Sequence, residues 1–313
     1  MSFQLQSALA LVIPEGLDLT QKMSIPSLIC AGLNLLLIVA VPLIFFVYLR
    51  KYGALELKGI LVGGLTYILM NKIVLSVVLT LVFMIPAMQV YLNTNLGQMI
   101  QVAFAFIIEF LAIFFGLMWM RRKSLTFNDC LMFLFGYSCI IILTETVAQA
   151  LAVFINCISI NTQGLETIFA QISEADATMA VQAYKSVLEA SPADFMLDGI
   201  NCVFQFFIRV CSCILIYGTL SHKIGKQNIL LTFIGLLLYH IPIVAYTAGM
   251  IQSSLIIEAM LALVTGVLGF YTSTVLSKEL GDDLRDFLSG KIKKSKSNKK
   301  QPPKMPKIVM PKD

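Results

Sequence analysis

The stretch SLICAGLNLLLIVAVPLIFFVYL, residues 27–49, contains no Asp, Glu, Lys or Arg. A helix needs about 20 apolar residues to cross a hydrocarbon layer of about 30 Å, so this stretch predicts a transmembrane helix. The whole chain has the same character. Of its 313 residues, 58% are hydrophobic and 13% are charged, and the mean hydropathy is +0.84. These values exclude an ordinary soluble domain of this length.

Further apolar segments of spanning length follow the first one. The predicted spans are residues 27–49, 59–85, 99–120, 131–156, 195–218, 228–247 and 254–276. Because the sequence lacks the period-two alternation typical of transmembrane β-strands, helices must satisfy the backbone hydrogen bonds inside the membrane. We therefore predict an all-α, polytopic transmembrane bundle over residues 27–276. An exposed arm precedes it at 1–26, and a disordered basic cytoplasmic tail follows at 277–313.

The basic residues predict how the bundle is oriented. Loops on one side, together with the tail, carry almost all of them, whereas the other loops hold only Lys22 and Lys185. The basic loop residues are Arg50, Lys51, Lys58, Arg121, Arg122, Lys123, Lys223 and Lys226. The positive-inside rule then predicts a multi-pass cell-membrane protein with its N-terminus outside and its C-terminus in the cytoplasm. The net charge of +5 indicates a lipid bilayer partner rather than nucleic acid.

One extramembrane segment, residues 157–194, is long enough to form structure of its own. Apolar residues recur there at helical spacing, which predicts two short amphipathic helices as an extracytoplasmic cap. The cap would either gate access to the bundle or simply cover the helix ends.

The seven cysteines form no CxxC pair and are expected to pack as small apolar residues. A bridge between Cys157 and Cys202 is the one pairing that their positions suggest.

Ionisable residues inside the predicted spans cost at least about 2.5–3.5 kcal/mol each at the bilayer centre, so they should face the bundle interior. Those placed well within the spans are Lys72, Glu109, Glu145, Arg209 and Glu258, joined by His240. The charges of the first four cancel, which suits a buried ion-pair network that fixes the bundle. The alternatives are a catalytic or metal centre, and a pathway for ions or protons. A cation at position 72 or 209 would repel a metal ion.

The order of these features resembles the YhfC family of intramembrane metal-dependent peptidases, distant relatives of CAAX and bacteriocin-processing proteases. The resemblance is carried by FINCISINTQGLETI (154–168), SPADFMLDGINCVFQFFIRVCSCILIYG (191–218) and LLTFIGLLLYHIPIV (230–244). It covers roughly residues 25–275.

Two glycine pairs, Gly59 with Gly63 and Gly266 with Gly269, predict close contacts between helices.

The chain departs from the family pattern at most motif positions. AFIIEFLAIFFG (105–116) keeps Glu109 but lacks the second glutamate and the arginine. FGYSCIIILTE (135–145) keeps Gly136, has Ser138 and Cys139 where glycine and histidine are expected, and places Glu145 two residues late.

Later spans show the same loss. Asn201 and Cys202 stand where the family has a glutamate and an arginine, and Arg209 replaces a histidine. In the next span His240 fits the family histidine, while Val244 replaces an aspartate.

These departures predict a degenerate peptidase that acts by binding a membrane protein or peptide. Lys72 and Arg209 would serve as ion-pair partners. No metal is expected, with His240 left as a residual ligand position; zinc would bind only if the family site were retained. His240 should instead hydrogen-bond to a buried glutamate. The alternatives are an active intramembrane protease that uses Glu109, Glu145 and His240, and an ion or solute permease.

Overall fold

The computed structural model describes residues 18–52, 56–91, 94–121, 125–170, 172, 174–247, 250–251 and 253–289. This part of the chain is helical and contains no β-strand. The helices are α1 (Ile25–Tyr52), α2 (Leu57–Tyr67), α3 (Leu75–Met84), α4 (Pro86–Gln89), α5 (Asn95–Met120), α6 (Phe127–Ile141), α7 (Val147–Thr162), α8 (Leu165–Phe169), α9 (Glu174–Glu189), α10 (Pro192–Leu220), α11 (Gln227–Thr247), α12 (Ser254–Lys278) and α13 (Gly281–Leu288).

Seven helices in the described residues are long and apolar enough to cross a membrane, which confirms the predicted polytopic bundle. Span 1 is α1, span 3 is α5, and spans 5, 6 and 7 are α10, α11 and α12. Span 2 joins α2 to α3 through the π-helical segment Ile68–Val74. Span 4 joins α6 to α7 through a second π-helical segment, Ile142–Thr146.

Span 5 is the central helix of the bundle. In its apolar window 61% of the residues are buried, against 6% to 39% in the other spans. It contacts spans 1, 3, 4, 6 and 7. Polar residues on span 5 therefore face other helices rather than lipid.

Polar caps define where several spans begin. Thr126 and Asp129 form a capping box at the start of span 4, and Ser191 and Asp194 form another at the start of span 5. In each box the hydroxyl accepts a hydrogen bond from the third helical backbone N–H, and the carboxylate accepts one from the cap residue. Pro192 follows the second cap at a position where its missing N–H costs nothing.

Spans 2 and 4 approach so closely that only glycine fits between them. A Cβ atom on Gly63 would lie 2.1 Å from the Phe133 carbonyl oxygen, and one on Gly136 would lie 2.0 Å from the Ile60 carbonyl oxygen. The predicted contact at Gly63 is therefore confirmed. The prediction is wrong for Gly266, because a Cβ atom there would meet nothing within 4 Å.

Two short helices lie between spans 4 and 5, as the periodicity predicted. Span 4 continues to Thr162, past the expected start of the connection, and α8 and α9 follow. Their apolar residues pack with span ends in one cluster, which includes Leu165, Phe169, Val187 and Cys157. The two helices thus cover one end of the bundle.

The residues after span 7 begin with structure rather than disorder. Leu280, immediately before helix α13, lies in the main core cluster, and Leu284 of α13 packs against that cluster. Asp283 accepts hydrogen bonds from Tyr217 and Lys223. The prediction of a disordered tail therefore fails for residues 277–289, because apolar burial and an ion pair hold them. The rest of the tail and residues 1–17 lie outside the described part.

The predicted bridge between Cys157 and Cys202 is wrong, since both thiols are free. Cys157 packs at the covered end of the bundle with Ile160 and Phe169. Cys202 packs in a separate cluster with Ile38 and Ile142. The two residues therefore lie in different parts of the core, where each packs as a small apolar side chain.

Candidate functional site

A polar stripe on span 5 marks the candidate site. Asn201, Gln205 and Arg209 are four residues apart, so they lie on one face of the helix. Each of them lines a cavity between the spans. Because span 5 is the central helix, this face points into the bundle.

Arg209 forms a buried ion pair with span 3. Its Nε donates to Glu109 Oε1 at 2.6 Å, and the two side chains are only 10% and 12% exposed. A charged hydrogen bond of this length is strong, and burial keeps water from competing for it. This pair is one of those that the sequence predicted for a charge network.

His240 of span 6 lies on the other side of Glu109. Its Nε2 is 3.8 Å from Glu109 Oε2, too far for a hydrogen bond. Its Nδ1 donates instead to the Leu236 carbonyl oxygen of its own helix, at 2.8 Å. The predicted hydrogen bond to a buried glutamate is therefore wrong: the Leu236 carbonyl oxygen one turn earlier in the helix is the acceptor for Nδ1, and Glu109 lies beyond hydrogen-bond distance of Nε2.

The second ion pair joins the two π-helical segments. Lys72 Nζ donates to Glu145 Oε1 at 2.6 Å, and Tyr67 OH donates to the same oxygen. The Lys72 ammonium also lies 5.7 Å from the centre of the Tyr67 ring. In contrast to the first pair, these side chains are 51% and 48% exposed. Short π-helical segments often occur at functional positions.

Two cavities meet at the span 5 stripe. The smaller one, of about 50 Å³, is lined by Glu109, Gln205, Ile208, Arg209, Leu236, Tyr239 and His240. The larger one, of about 240 Å³, is lined by Ile38, Ile141, Glu145, Thr146, Gln149, Ala150, Asn201, Cys202, Gln205 and Arg209. Arg209 and Gln205 line both, so they form the wall between them.

The predicted site residues are thus only partly brought together. Glu109, Arg209 and His240 share the smaller cavity, whereas Glu145 lines the larger one and pairs with Lys72. Glu258 lies partly buried in span 7.

Tyr67, Gln149 and Gln205 also belong to this region, although the sequence did not single them out as site residues. The four-residue spacing of Asn201, Gln205 and Arg209 was the signal that could have found the stripe. Tyr67 offered none, because its partner Glu145 lies on another span.

The residues present do not suit a metal ion. Among the residues that the structure describes, no three His, Cys, Asp or Glu side chains converge as ligands. Glu109 and His240 are neighbours, but Glu109 already binds the Arg209 guanidinium. A structural or catalytic zinc site normally takes three or four protein ligands. This set supplies two, with a fixed cation beside them.

Comparison of the sequence with known protein families identifies a match. The model of the YhfC intramembrane metalloprotease family matches residues 37–261, which is more than half of the chain and includes every site residue above. Neither a curated protein nor a solved structure shows a significant match. The chain therefore belongs to the YhfC intramembrane metalloprotease family.

Proposed function

We propose that this chain is a member of its family without metal-dependent peptidase activity, and that it acts by binding another membrane protein or peptide. The observation that carries the proposal is the buried ion pair between Arg209 and Glu109. Arg209 stands where the resemblance places a ligand histidine. An imidazole there would help to bind a cation, whereas the guanidinium is itself a cation.

The electrostatic consequence is large inside a membrane. At an effective dielectric constant of about 20, two unit charges about 4 Å apart interact by about 4 kcal/mol, and a divalent ion doubles the repulsion. Glu109 would also have to give up its bond to Arg209 before it could bind a metal ion. Without an activated water, His240 and Glu109 alone provide no means of stabilising the oxyanion of peptide hydrolysis.

The binding role rests on what the chain retains. The bundle, the end-covering helices α8 and α9, and the two cavities between the spans are all present. In the proposed orientation the N-terminus is outside the cell membrane, and α8 and α9 form the extracytoplasmic cap. The opposite end of the bundle carries basic residues that link its loops. Arg121 forms a hydrogen bond with His222, and Lys223 forms an ion pair with Asp283. Such an arrangement suits the cytoplasmic side.

Metal analysis of three purified proteins tests the proposal. Wild-type protein prepared without chelator should contain no stoichiometric zinc or other transition metal. Arg209→His removes the fixed cation and adds an imidazole near Glu109 and His240, so it should bind cobalt(II) with a measurable absorption band. Arg209→Lys keeps a positive charge and should bind none, which makes it the matched control.

A cleavage assay with membrane-peptide substrates completes the test. The proposed function predicts no cleavage by wild type and no change in Glu109→Gln. One metal ion per wild-type chain would overturn it. So would cleavage that disappears in Glu109→Gln and His240→Ala, which would establish the active protease instead. Ion flux in liposomes that responds to Glu145→Gln would establish a permease.

A further inference from the structure

We propose that the larger cavity is a binding site for a small zwitterion, a molecule of α-amino acid size that carries one anionic oxygen group and one ammonium group. The cavity of about 240 Å³ lies between spans 1, 4 and 5. The proposal does not depend on whether the chain cleaves peptides, because Glu109 and His240 lie outside this cavity.

One wall of the cavity is rich in hydrogen-bond donors. Arg209 is 92% buried, and its one hydrogen bond among the described residues runs from Nε to Glu109. A guanidinium has five N–H donors, so its Nη groups are left for a ligand. Asn201 Oδ1 accepts a hydrogen bond from Tyr239 OH, which leaves the Asn201 amide N–H groups as donors. A carboxylate or phosphate oxygen fits this wall.

The other wall presents an acceptor. Tyr67 and Lys72 both donate to Glu145 Oε1, and within the described part of the chain Oε2 accepts no hydrogen bond. Thr146 and Gln149 lie beside it on span 4. A carboxylate oxygen with neutral polar neighbours fits an ammonium group of the ligand.

Charge and size narrow the class of ligand. The two ion pairs that border the cavity are each neutral, so a ligand with a net charge would bring an uncompensated charge between spans 1, 4 and 5. A zwitterion carries no net charge and matches the opposed walls. The volume lies below the roughly 300–1,000 Å³ of pockets for drug-sized molecules, which limits the ligand to a small group. A free amino acid and an ethanolamine lipid headgroup share this chemistry.

Thermal unfolding of the full chain in nanodiscs tests the site. The probes are the standard α-amino acids at saturating concentration in phosphatidylcholine discs, and discs that contain phosphatidylethanolamine. Phosphatidylcholine lacks the ammonium hydrogens and serves as the blank. A bound zwitterion should raise the melting temperature by about 2–4 °C or more. A shift with a free amino acid identifies a soluble ligand, and a shift with phosphatidylethanolamine alone identifies a headgroup.

Chemical and protein controls make the outcome decisive. The N-acetyl and the amide derivative of an active amino acid should each lose the shift, because each lacks one charge. Thr146→Val and Gln149→Leu remove polar groups of the cavity without touching either ion pair, and should weaken binding about tenfold. Thr80→Val, an exposed change on span 2, should leave it unchanged. Absence of any shift, full binding of the derivatives, or equal weakening by Thr80→Val would overturn the site.

Discussion

The two ion pairs of the bundle have the same chemistry and very different surroundings. Glu109 and Arg209 are nearly buried, whereas Lys72 and Glu145 are about half exposed beside a polar cavity. Both have an N···O distance of 2.6 Å. The distance alone therefore says little about what each pair contributes. Solvation decides that, because a buried charge that loses its partner has no water to replace it.

The largest expected effect comes from breaking the buried pair. Arg209→Leu leaves the Glu109 carboxylate unpaired and should lower the free energy of unfolding by about 3–5 kcal/mol. Unfolding by denaturant in mixed detergent micelles measures this change. The double variant Arg209→Leu with Glu109→Leu should recover most of the loss, since two packed apolar side chains need no ion pair. A single variant as stable as wild type would show that the pair is not buried.

The next effect tests what holds the exposed pair in place. Gly63→Ala should destabilise the protein by about 1–3 kcal/mol or more, because its Cβ atom would lie 2.1 Å from the Phe133 carbonyl oxygen. Spans 2 and 4 would have to separate, and these two spans carry Lys72 and Glu145. The melting temperature of each variant measures the effect. Gly266→Ala is the control and should cost less, since a Cβ atom there meets nothing within 4 Å. Equal behaviour of both variants would contradict the close contact.

Breaking the exposed pair should cost less than either change. Lys72→Met is expected to lower the free energy of unfolding by about 0.2–1 kcal/mol, the range for ion pairs with exposed side chains, since Tyr67 remains as a hydrogen-bond donor to Glu145. The same denaturant titration measures it. A loss as large as that of Arg209→Leu would mean that lipid rather than water surrounds Glu145, and would remove the contrast between the pairs.

The smallest expected effect is a change in the pH dependence of stability. It concerns the carboxyl group of Glu56, which lies near the Asp129 carboxylate. Burial, and next the Asp129 carboxylate, raise the pKa of Glu56 above its ordinary value of 4.5. Its stabilising contribution is therefore present below that value and lost as pH rises through the raised pKa. As pH rises from 4.5 through the raised pKa, the melting temperature of Glu56→Gln should therefore fall less than that of the wild type.

Asp18 supplies a control of opposite sign. Hydrogen bonds from the Thr20 hydroxyl and backbone N–H lower the pKa of Asp18 below 3.8. Its contribution is therefore present above 3.8 and lost as pH falls through the lowered pKa, so Asp18→Asn should flatten the acid side. A slope that stays the same in Glu56→Gln would refute the assignment for Glu56.

Much of the fold was predictable because hydropathy acts locally. Each span is long enough and apolar enough to cross the membrane, so the number and approximate limits of the spans follow from composition. The end-covering helices were predictable from their apolar spacing. Helix α13 was not, since Leu280 and Asp283 lie in a short polar segment whose partners belong to span 5 and the turn after it.

The sequence by itself determined that the chain has seven segments able to span a membrane and which ionisable residues lie inside them. Only the tertiary structure decided the pairing of those residues. It joined Arg209 to Glu109 and Lys72 to Glu145, and directed His240 to its own backbone. The physical reason is that hydrophobicity is a property of each residue, whereas an ion pair depends on how neighbouring helices are rotated and how deep they sit. That rotation is set by contacts such as Gly63 against Phe133, which no single segment reveals.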